Sequence, residues 1–459
     1  MFKKRLLDIH RIVNGLNGAE GFASTEIEGV TIDSRKIGQG NLFVPFKGAR
    51  QDGHDFVEKA IEDGAAAALW QKDVPNPPVH LPIIVVEDTL IALQTLARSY
   101  RDELDMRVVG ITGSNGKTTT KDMTAAVLGT VFKVHKTSGN YNNHLGLPLT
   151  ILSMEPDTEA AVLEMGMSSR GEIKFLSELA RPDIAIITNI GESHLLDLGS
   201  REGIAEAKLE ILEGLKENGT LIYHGDEPLL SSRLTEPKGF TCTSFGRVET
   251  NDLYPVNISA GQTETSFEVN AIPDTVFSIP VLGTHNVLNS LAAISAAMKL
   301  GVPVQKIREG LKELELTAMR MEMAKGSKGE TIINDAYNAS PTSMKAAIEL
   351  TAGITGFDRK YLVLGDMLEL GPEEKDFHYK IGELIDPASV SKVFTFGALG
   401  RYIAEGARQK FREENVLAFE NKSELIEELK KTVSANDLIL FKASRGVQLE
   451  DVVQSLQGK

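Results

Sequence analysis

The stretch Gly113-Ser114-Asn115-Gly116-Lys117-Thr118-Thr119 decides how this 459-residue chain folds. The apolar run Val108-Val109-Gly110-Ile111 before it reads as a buried strand, and Thr120 to Leu128 after it reads as a helix. A strand, a glycine turn and a lysine at a helix start form a cradle in which backbone N–H groups and the helix dipole face an anion. Lys117 is then expected on the β/γ-phosphates of a nucleoside triphosphate, and the hydroxyl of Thr118 on Mg²⁺. The glycines stand at 110, 113 and 116 with Ile at 111, a spacing that differs from the commonest phosphate loop. The bland alternative is a Gly-rich turn with a surface lysine, and the strand–helix context disfavours it.

Working outward, strand-like runs at 106–111, 160–165, 184–190 and 219–223 alternate with helical stretches at 117–129, 171–180 and 201–217. That rhythm predicts a mostly parallel sheet of P-loop type with helices on both faces. Residues 240–283, rich in Thr, Val, Phe, Pro and Gly, predict an antiparallel β insertion, followed by helices from Asn286 to Leu300 and on to about Leu316. Strands near 331–333, 361–365, 393–396 and 437–442 restart the rhythm as a doubly wound, Rossmann-like unit. Residues before 105 mix short strands with helices such as 54–63 and 88–100. The expectation is an α/β chain of three domains, 1–104, 105–316 and 317–459, with the charged stretch Arg101-Asp102-Glu103-Leu104-Asp105 as the first hinge.

Composition narrows the function classes. Lys plus Arg number 49 against 64 Asp plus Glu, a net charge of −15 that argues against nucleic acid or an anionic membrane as partner. An anionic substrate must therefore meet a local positive pocket. The N-terminus, Met1-Phe2-Lys3-Lys4-Arg5-Leu6-Leu7-Asp8-Ile9-His10-Arg11, starts like a signal peptide, but Asp8, His10 and Arg11 interrupt it, so an amphipathic first helix is expected. No run approaches the ~18 apolar residues of a membrane span. One cysteine, Cys242, fits a reducing compartment. A cytoplasmic protein without membrane insertion is the expectation.

Ligands of open parallel sheets bind at the carboxyl ends of the strands. Ala161-Val162-Leu163 runs into Glu164, and a carboxylate ending a buried strand is costly unless it meets a cation or a donor. The strand from Ile184 leads to His194. Glu164, His194 and Thr118 can converge on Mg²⁺, while taken singly Glu164 also reads as a cap and His194 as a loop histidine. Asn140-Tyr141-Asn142-Asn143 forms an amide-rich loop, and Lys208 by itself is an ordinary helix lysine. Gly283 to Asn289, Asn334 to Pro341, Gly365 to Gly371 and Phe441 to Gly446 are polar stretches at element ends. Together they suggest two domains closing on one cleft.

In this order, the loop Gly113 to Thr119, Asn140 to Asn143, Glu164, His194, Lys208, His285-Asn286 and Asp335-Ala336-Tyr337-Asn338 resemble the Mur ligases, ATP-dependent amide-forming enzymes of peptidoglycan precursor assembly. The resemblance covers essentially the whole chain. Asp33-Ser34-Arg35, Gly40 to Pro45 and Asp52 to Phe56 are similar to the uridine-binding domain of the last two enzymes of that series. The Asp-Asn/Asp-Pro-Arg signature of the branch adding a single diamino acid is missing, and Gly365 to Gly371 resembles the branch adding D-alanyl-D-alanine.

The resemblance implies a ligase joining D-alanyl-D-alanine to a UDP-N-acetylmuramoyl-tripeptide through an acyl phosphate, acting as a monomer. It implies ATP at Gly113, Ser114, Asn115, Gly116, Lys117, Thr118 and Thr119, with Asn286 at adenine, Arg320 at the γ-phosphate and Asp335 at ribose or the domain interface. Two Mg²⁺ are implied at Thr118, Glu164, His194 and a carbamylated Lys208. Lys117, Glu164, His194, Lys208 and Arg320 form the implied catalytic set; Ser34, Arg35, Asn140, Asn143, Asn338, Lys442, Ser444 and Arg445 are implied on the substrates. Ala443 stands where the family often has Gly, and Ser340 where Asn is common. The rival from another class is an ATP-dependent switch, which would hydrolyse ATP without consuming an amine.

Overall fold

The computed structural model describes residues 2–19, 21–48, 51–235, 239–261 and 263–459. Met1 of the expected first helix and Gln262 of the β-rich stretch lie outside them.

The phosphate-loop strand, Arg107–Thr112, sits inside a six-stranded parallel sheet. Its neighbours are Ile184–Ile187 on one side and Ala160–Glu164 on the other, with Thr220–His224, Thr241–Phe245 and Val134–Lys136 outside them. Alternation along the strands feeds two cores. Val108, Leu163 and Ile187 face the first, while Val109, Ile111, Val162 and Ile186 face the second. The second core packs helix Lys117–Leu128 against helix Thr284–Lys299 and a three-stranded antiparallel sheet, Pro255–Ala260, Thr265–Val269 and Ile272–Ile279. Both sides of the central sheet are therefore covered.

The first core continues into the N-terminal part, whose own parallel sheet is Val30–Thr31, Leu42–Phe43, Ala67–Gln71 and Ile83–Val86. The third sheet runs Glu322–Lys325, Thr331–Asn334, Asp437–Lys442, Arg359–Gly365, Lys392–Phe396 and Val416–Phe419; its first strand is antiparallel and the rest are parallel. Apolar clusters cover its two faces. Among the described residues no helix is long and apolar enough to cross a membrane.

Several expectations change. Lys3–Arg5 forms a strand paired with Glu26–Glu28, and the first helix begins only at Leu6. The expected hinge is the packed last turn of helix Thr89–Glu103: Arg101 is buried and its Nε donates to the Ala180 carbonyl at 2.8 Å. Thr241–Phe245 is a parallel edge strand of the central sheet, so the antiparallel insertion starts later, at Pro255. The helix expected over 201–217 stops at Leu209 and tightens into a 3₁₀ turn to Gly214, where Gly214 lies against the Ser177 backbone. Strands Glu322–Lys325 and Val416–Phe419, four residues each, are too short to stand out in the sequence, and the first is polar besides.

Candidate functional site

Strand register places the chemistry. Ile111 pairs with Glu164, and Thr112 pairs with Ile187, so three carboxyl ends open side by side beneath the phosphate loop. Gly113 and Gly116 both have positive φ, 148° and 81°. A Cβ on Gly113 would lie 1.8 Å from Thr188 Oγ1, and one on Gly116 would lie 2.5 Å from Asn289 Oδ1, so glycine is required at both. The loop is pinned from below: Asn115 N donates to Asn189 Oδ1 at 2.8 Å, and Thr188 Oγ1 donates to the Asn115 carbonyl at 2.6 Å.

Lys117 folds back over this loop, its Nζ donating to the Gly113 carbonyl at 2.7 Å. Burial pushes its ammonium below the ordinary lysine range, opposed by Glu164 and reinforced by Arg320. Glu164 is buried, accepts one bond from Asn142 Nδ2 at 2.8 Å on Oε1, and leaves Oε2 without a partner. A buried carboxylate oxygen without a donor costs about 1–3 kcal/mol or more. That orphan is an observation in favour of a cation. Among the described residues no three His, Cys, Asp or Glu side chains gather as a metal cage. A hard ion here would instead combine Glu164 and the Thr118 hydroxyl with phosphate and water oxygens, a set Mg²⁺ prefers.

The opposite wall comes from the third sheet. Arg320 donates from NH2 to Thr118 Oγ1 at 3.1 Å and lies over the Tyr337 ring at 4.0 Å, while its Nε is buried and unpaired. Ser340 Oγ reaches Asn115 Oδ1 at 3.1 Å, and Thr342 Oγ1 donates to Glu192 Oε2 at 2.7 Å. Lys442 Nζ, almost fully buried, donates to Asp335 Oδ2 at 2.5 Å and to the Asn338 carbonyl at 3.0 Å. His194 adopts a left-handed backbone, φ 63°, and its Nδ1 lies 2.7 Å from Glu369 Oε2, off the line of a hydrogen bond. Burial lowers the His194 pKa against the pull of Glu369.

The cleft between these walls measures about 360 Å³. Of the residues expected at ATP, Ser114, Asn115, Gly116, Lys117, Thr118, Thr119, Asn286, Arg320 and Asp335 line it, together with Glu164, His194, Asn143, Asn338 and Lys442. Asn286 is fixed by its Nδ2 donating to the Leu282 carbonyl at 2.8 Å. Its neighbour His285 also lines the cleft, with burial pushing the imidazole down to about 4.

Other expected residues lie outside that lining. Lys208 is buried on helix Arg201–Leu209, and burial, aided by the charge of Lys117, drives its amine well below the ordinary lysine range. Asn140 is exposed, and Asn142 rather than Asn140 reaches Glu164. Asn143, which does line the cleft, spends its Oδ1 on the start of the following helix, accepting from Gly146 N at 2.8 Å. Ser444 Oγ accepts from Leu368 N at 3.0 Å, and Arg445 pairs with Glu450. Ser34 and Arg35 lie on a 3₁₀ turn of the N-terminal part, where the Arg35 guanidinium, gripping Asp33, holds that carboxyl down to about 2.

The sequence placed Asn142, Asn289, Tyr337, Ser340 and Glu369 in polar stretches without giving any of them a role, and Asn189 did not stand out in its strand. Their position at strand ends or helix starts was the available signal; their partners were not.

Comparison with known proteins agrees with this layout. Residues 26–101 match the model of the Mur ligase family catalytic domain, 111–297 the Mur ligase middle domain, and 319–445 the Mur ligase glutamate ligase domain. The UDP-N-acetylmuramoyl-tripeptide--D-alanyl-D-alanine ligase of Bacillus subtilis (strain 168) is 53% identical over 458 residues, 99% of each chain. The crystal structure of MurF from Acinetobacter baumannii superimposes with a TM-score of 0.89 at 29% identity, covering 100% of this chain and 99% of that one. MurF ligase from Thermotoga maritima in complex with ADP gives 0.81 at 31% identity, covering 94% and 97%. With a phosphate loop, an orphaned strand-end carboxylate and an arginine from a second sheet in one cleft, and near full-length similarity besides, the chain belongs to the Mur ligase family.

Proposed function

We propose that this chain is an ADP-forming ligase that joins D-alanyl-D-alanine to the free carboxylate of UDP-N-acetylmuramoyl-tripeptide in peptidoglycan precursor synthesis. The single observation that carries the chemistry is the meeting of Lys117, Glu164 and Arg320 around the phosphate loop, with polar atoms of Glu164 and Arg320 left unpaired. The 53% identity over 99% of the chain to a ligase of that name supports the choice of substrates.

In this reading the loop Gly113–Thr119 holds the ATP phosphates, Asn286 the adenine, and Asp335 the ribose side. The substrate carboxylate oxygen attacks the γ-phosphorus, the bond to the β-phosphate oxygen breaks, and ADP leaves. Lys117 and Arg320 offset the charge of the transferring group, as positioning and electrostatics dominate such transfers. The dipeptide amine then attacks the acyl phosphate carbon, loses a proton and expels phosphate. His194, whose pKa burial lowers, takes that proton where it is not engaged with a metal ion, and a metal-bound group takes it otherwise. Mg²⁺, when bound, neutralises charge between the phosphates; Thr118, Glu164, His194 and a carbamylated Lys208 would hold two such ions. Burial drives the Lys208 amine well below the ordinary lysine range and so favours the free base that this modification needs: its nitrogen bonds to the carbon of CO₂ and gives up a proton.

Lys442, Ser444 and Arg445 serve the dipeptide, Asn140, Asn143 and Asn338 the tripeptide, and Ser34 with Arg35 the uridine end. The working parts are 1–104 for the UDP substrate, 105–316 for ATP and 317–459 for the dipeptide, a division that the three matched segments support. The enzyme acts as a cytoplasmic monomer. Tripeptide labelled with ¹⁸O in its carboxylate tests the route. One labelled oxygen should appear in the released phosphate; unlabelled phosphate would rule out the acyl phosphate.

A further inference from the structure

The phosphate-loop helix carries a buried ion cluster that none of the chemistry above uses. Asp122 stands one turn after Thr118 on the same helix face, and its carboxylate is excluded from solvent. It accepts from Lys136 Nζ at 2.7 Å, and Lys121 Nζ lies 3.3 Å away. Its other oxygen accepts from both the backbone N, at 2.9 Å, and the hydroxyl, at 2.8 Å, of Thr317. Thr317 opens the short segment that leaves helix Val304–Lys312 and enters the third sheet at Glu322.

That segment holds Arg320. Its neighbours Met319 and Met321 both have left-handed φ, 60° and 53°, which side chains with a Cβ adopt only when the surroundings impose it. Its far end is held as well, because Met321 N donates to Asp335 Oδ1 at 3.2 Å. Between the two anchors Arg320 reaches Thr118 Oγ1 at 3.1 Å. One helix face thus grips the base of the segment through Asp122 and meets its tip through Thr118.

We infer that Asp122 is a positioning residue, which through Thr317 fixes the strained Thr317–Met321 segment and so aims Arg320 at the phosphate loop. The inference rests on the reading of Arg320 as a group acting on the transferring phosphate. Lys121 and Lys136 supply the charge that lets Asp122 stay ionised while buried, as a buried carboxylate requires. Lys121 also ties this cluster to the strand-end carboxylate: its Nζ donates to the Thr137 carbonyl at 2.9 Å, and Thr137 Oγ1 accepts from Glu164 N at 2.9 Å.

The test is a double-mutant cycle on the full chain with ATP and both substrates. Thr317→Val removes the hydroxyl donor and leaves every charge in place; Asp122→Asn keeps the shape and removes the charge. Each should lower kcat roughly tenfold, the effect of one lost bond to a charged group, with KM for ATP unchanged. In an Arg320→Ala background the same changes should cost nothing further. Should Asp122→Asn fail to fold, Thr317→Val alone carries the test. An equal fractional loss in both backgrounds, or full kcat in Thr317→Val while Arg320→Ala is impaired, overturns the inference. Full kcat in Arg320→Ala would instead overturn the reading of Arg320 itself.

Discussion

The central sheet and the third sheet have the same architecture, parallel strands whose ends open on one cleft, yet they bring opposite kinds of groups to it. The central side presents groups that are wanting partners: Oε2 of Glu164 and Nδ2 of Asn115 are buried without one. The third sheet side presents groups more fully matched to each other, with Lys442 on Asp335 and Asn338; Arg320, whose Nε is buried and unpaired, is its exception. Buried unsatisfied groups are rare in folded proteins because each costs about 1–3 kcal/mol. The central wall is thus built for a ligand whose charges complete it, whereas the opposite wall, Arg320 apart, is matched within itself and must exchange partners to take one.

This contrast can be broken most severely at Lys117. Lys117→Ala should cut the rate of acyl-phosphate formation by about 10³-fold or more, as for loss of a charge aimed at a transferring group; near-normal turnover would remove the phosphate loop from the chemistry. Next, Glu164→Gln should lower kcat by about 10²-fold and raise the Mg²⁺ concentration needed for half-maximal rate. Its thermal midpoint should hold or rise, since a buried charge with an unpaired oxygen disappears. A large fall in the midpoint would recast Glu164 as a structural cap.

On the matched wall the main cost moves from rate to stability. Asp335→Asn leaves the buried Lys442 without its anion and should lower unfolding free energy by about 2 kcal/mol in denaturant titration, below the usual range for a broken buried pair because Asp335 keeps an edge to the cleft. No change in stability would mean that Lys442 finds another partner.

The smallest effect concerns His285, whose folded-state pKa falls from 6.5 to about 4. Between those values the unfolded chain binds a proton that the folded chain refuses, so stability should decline as pH falls from about 6.5 to about 4. His285→Gln should flatten that part of the profile; an unchanged slope would show that this imidazole titrates alike in both states.

The same contrast explains what could be read from the sequence. The phosphate loop is local: strand, two obligatory glycines and helix are consecutive, and so they stand out in one window. The alternating strands around it were legible for the same reason, down to the placement of Glu164 at a strand end. The wall from the third sheet depends on pairs such as Lys442 with Asp335, 107 residues apart, and Arg320 with Thr118, 202 apart. For that wall the family resemblance supplied the names of residues, and the fold supplied their partners. The stretch 101–105 misled because its charges suggest solvent, while Arg101 spends its donors on the carbonyls of Ala180 and Arg181 in the neighbouring unit and of Leu104 in its own. Thr241–Phe245 misled because β-formers say nothing of whether a strand pairs parallel or antiparallel.

The most direct test of two walls acting on one reaction is phosphate release from Mg-ATP with UDP-N-acetylmuramoyl-tripeptide, with D-alanyl-D-alanine present or omitted. Sustained release that requires the dipeptide, with a product heavier by one dipeptide, is the predicted result. Sustained release indifferent to the dipeptide would contradict the account, leaving Lys442, Ser444 and Arg445 without a role in the chemistry.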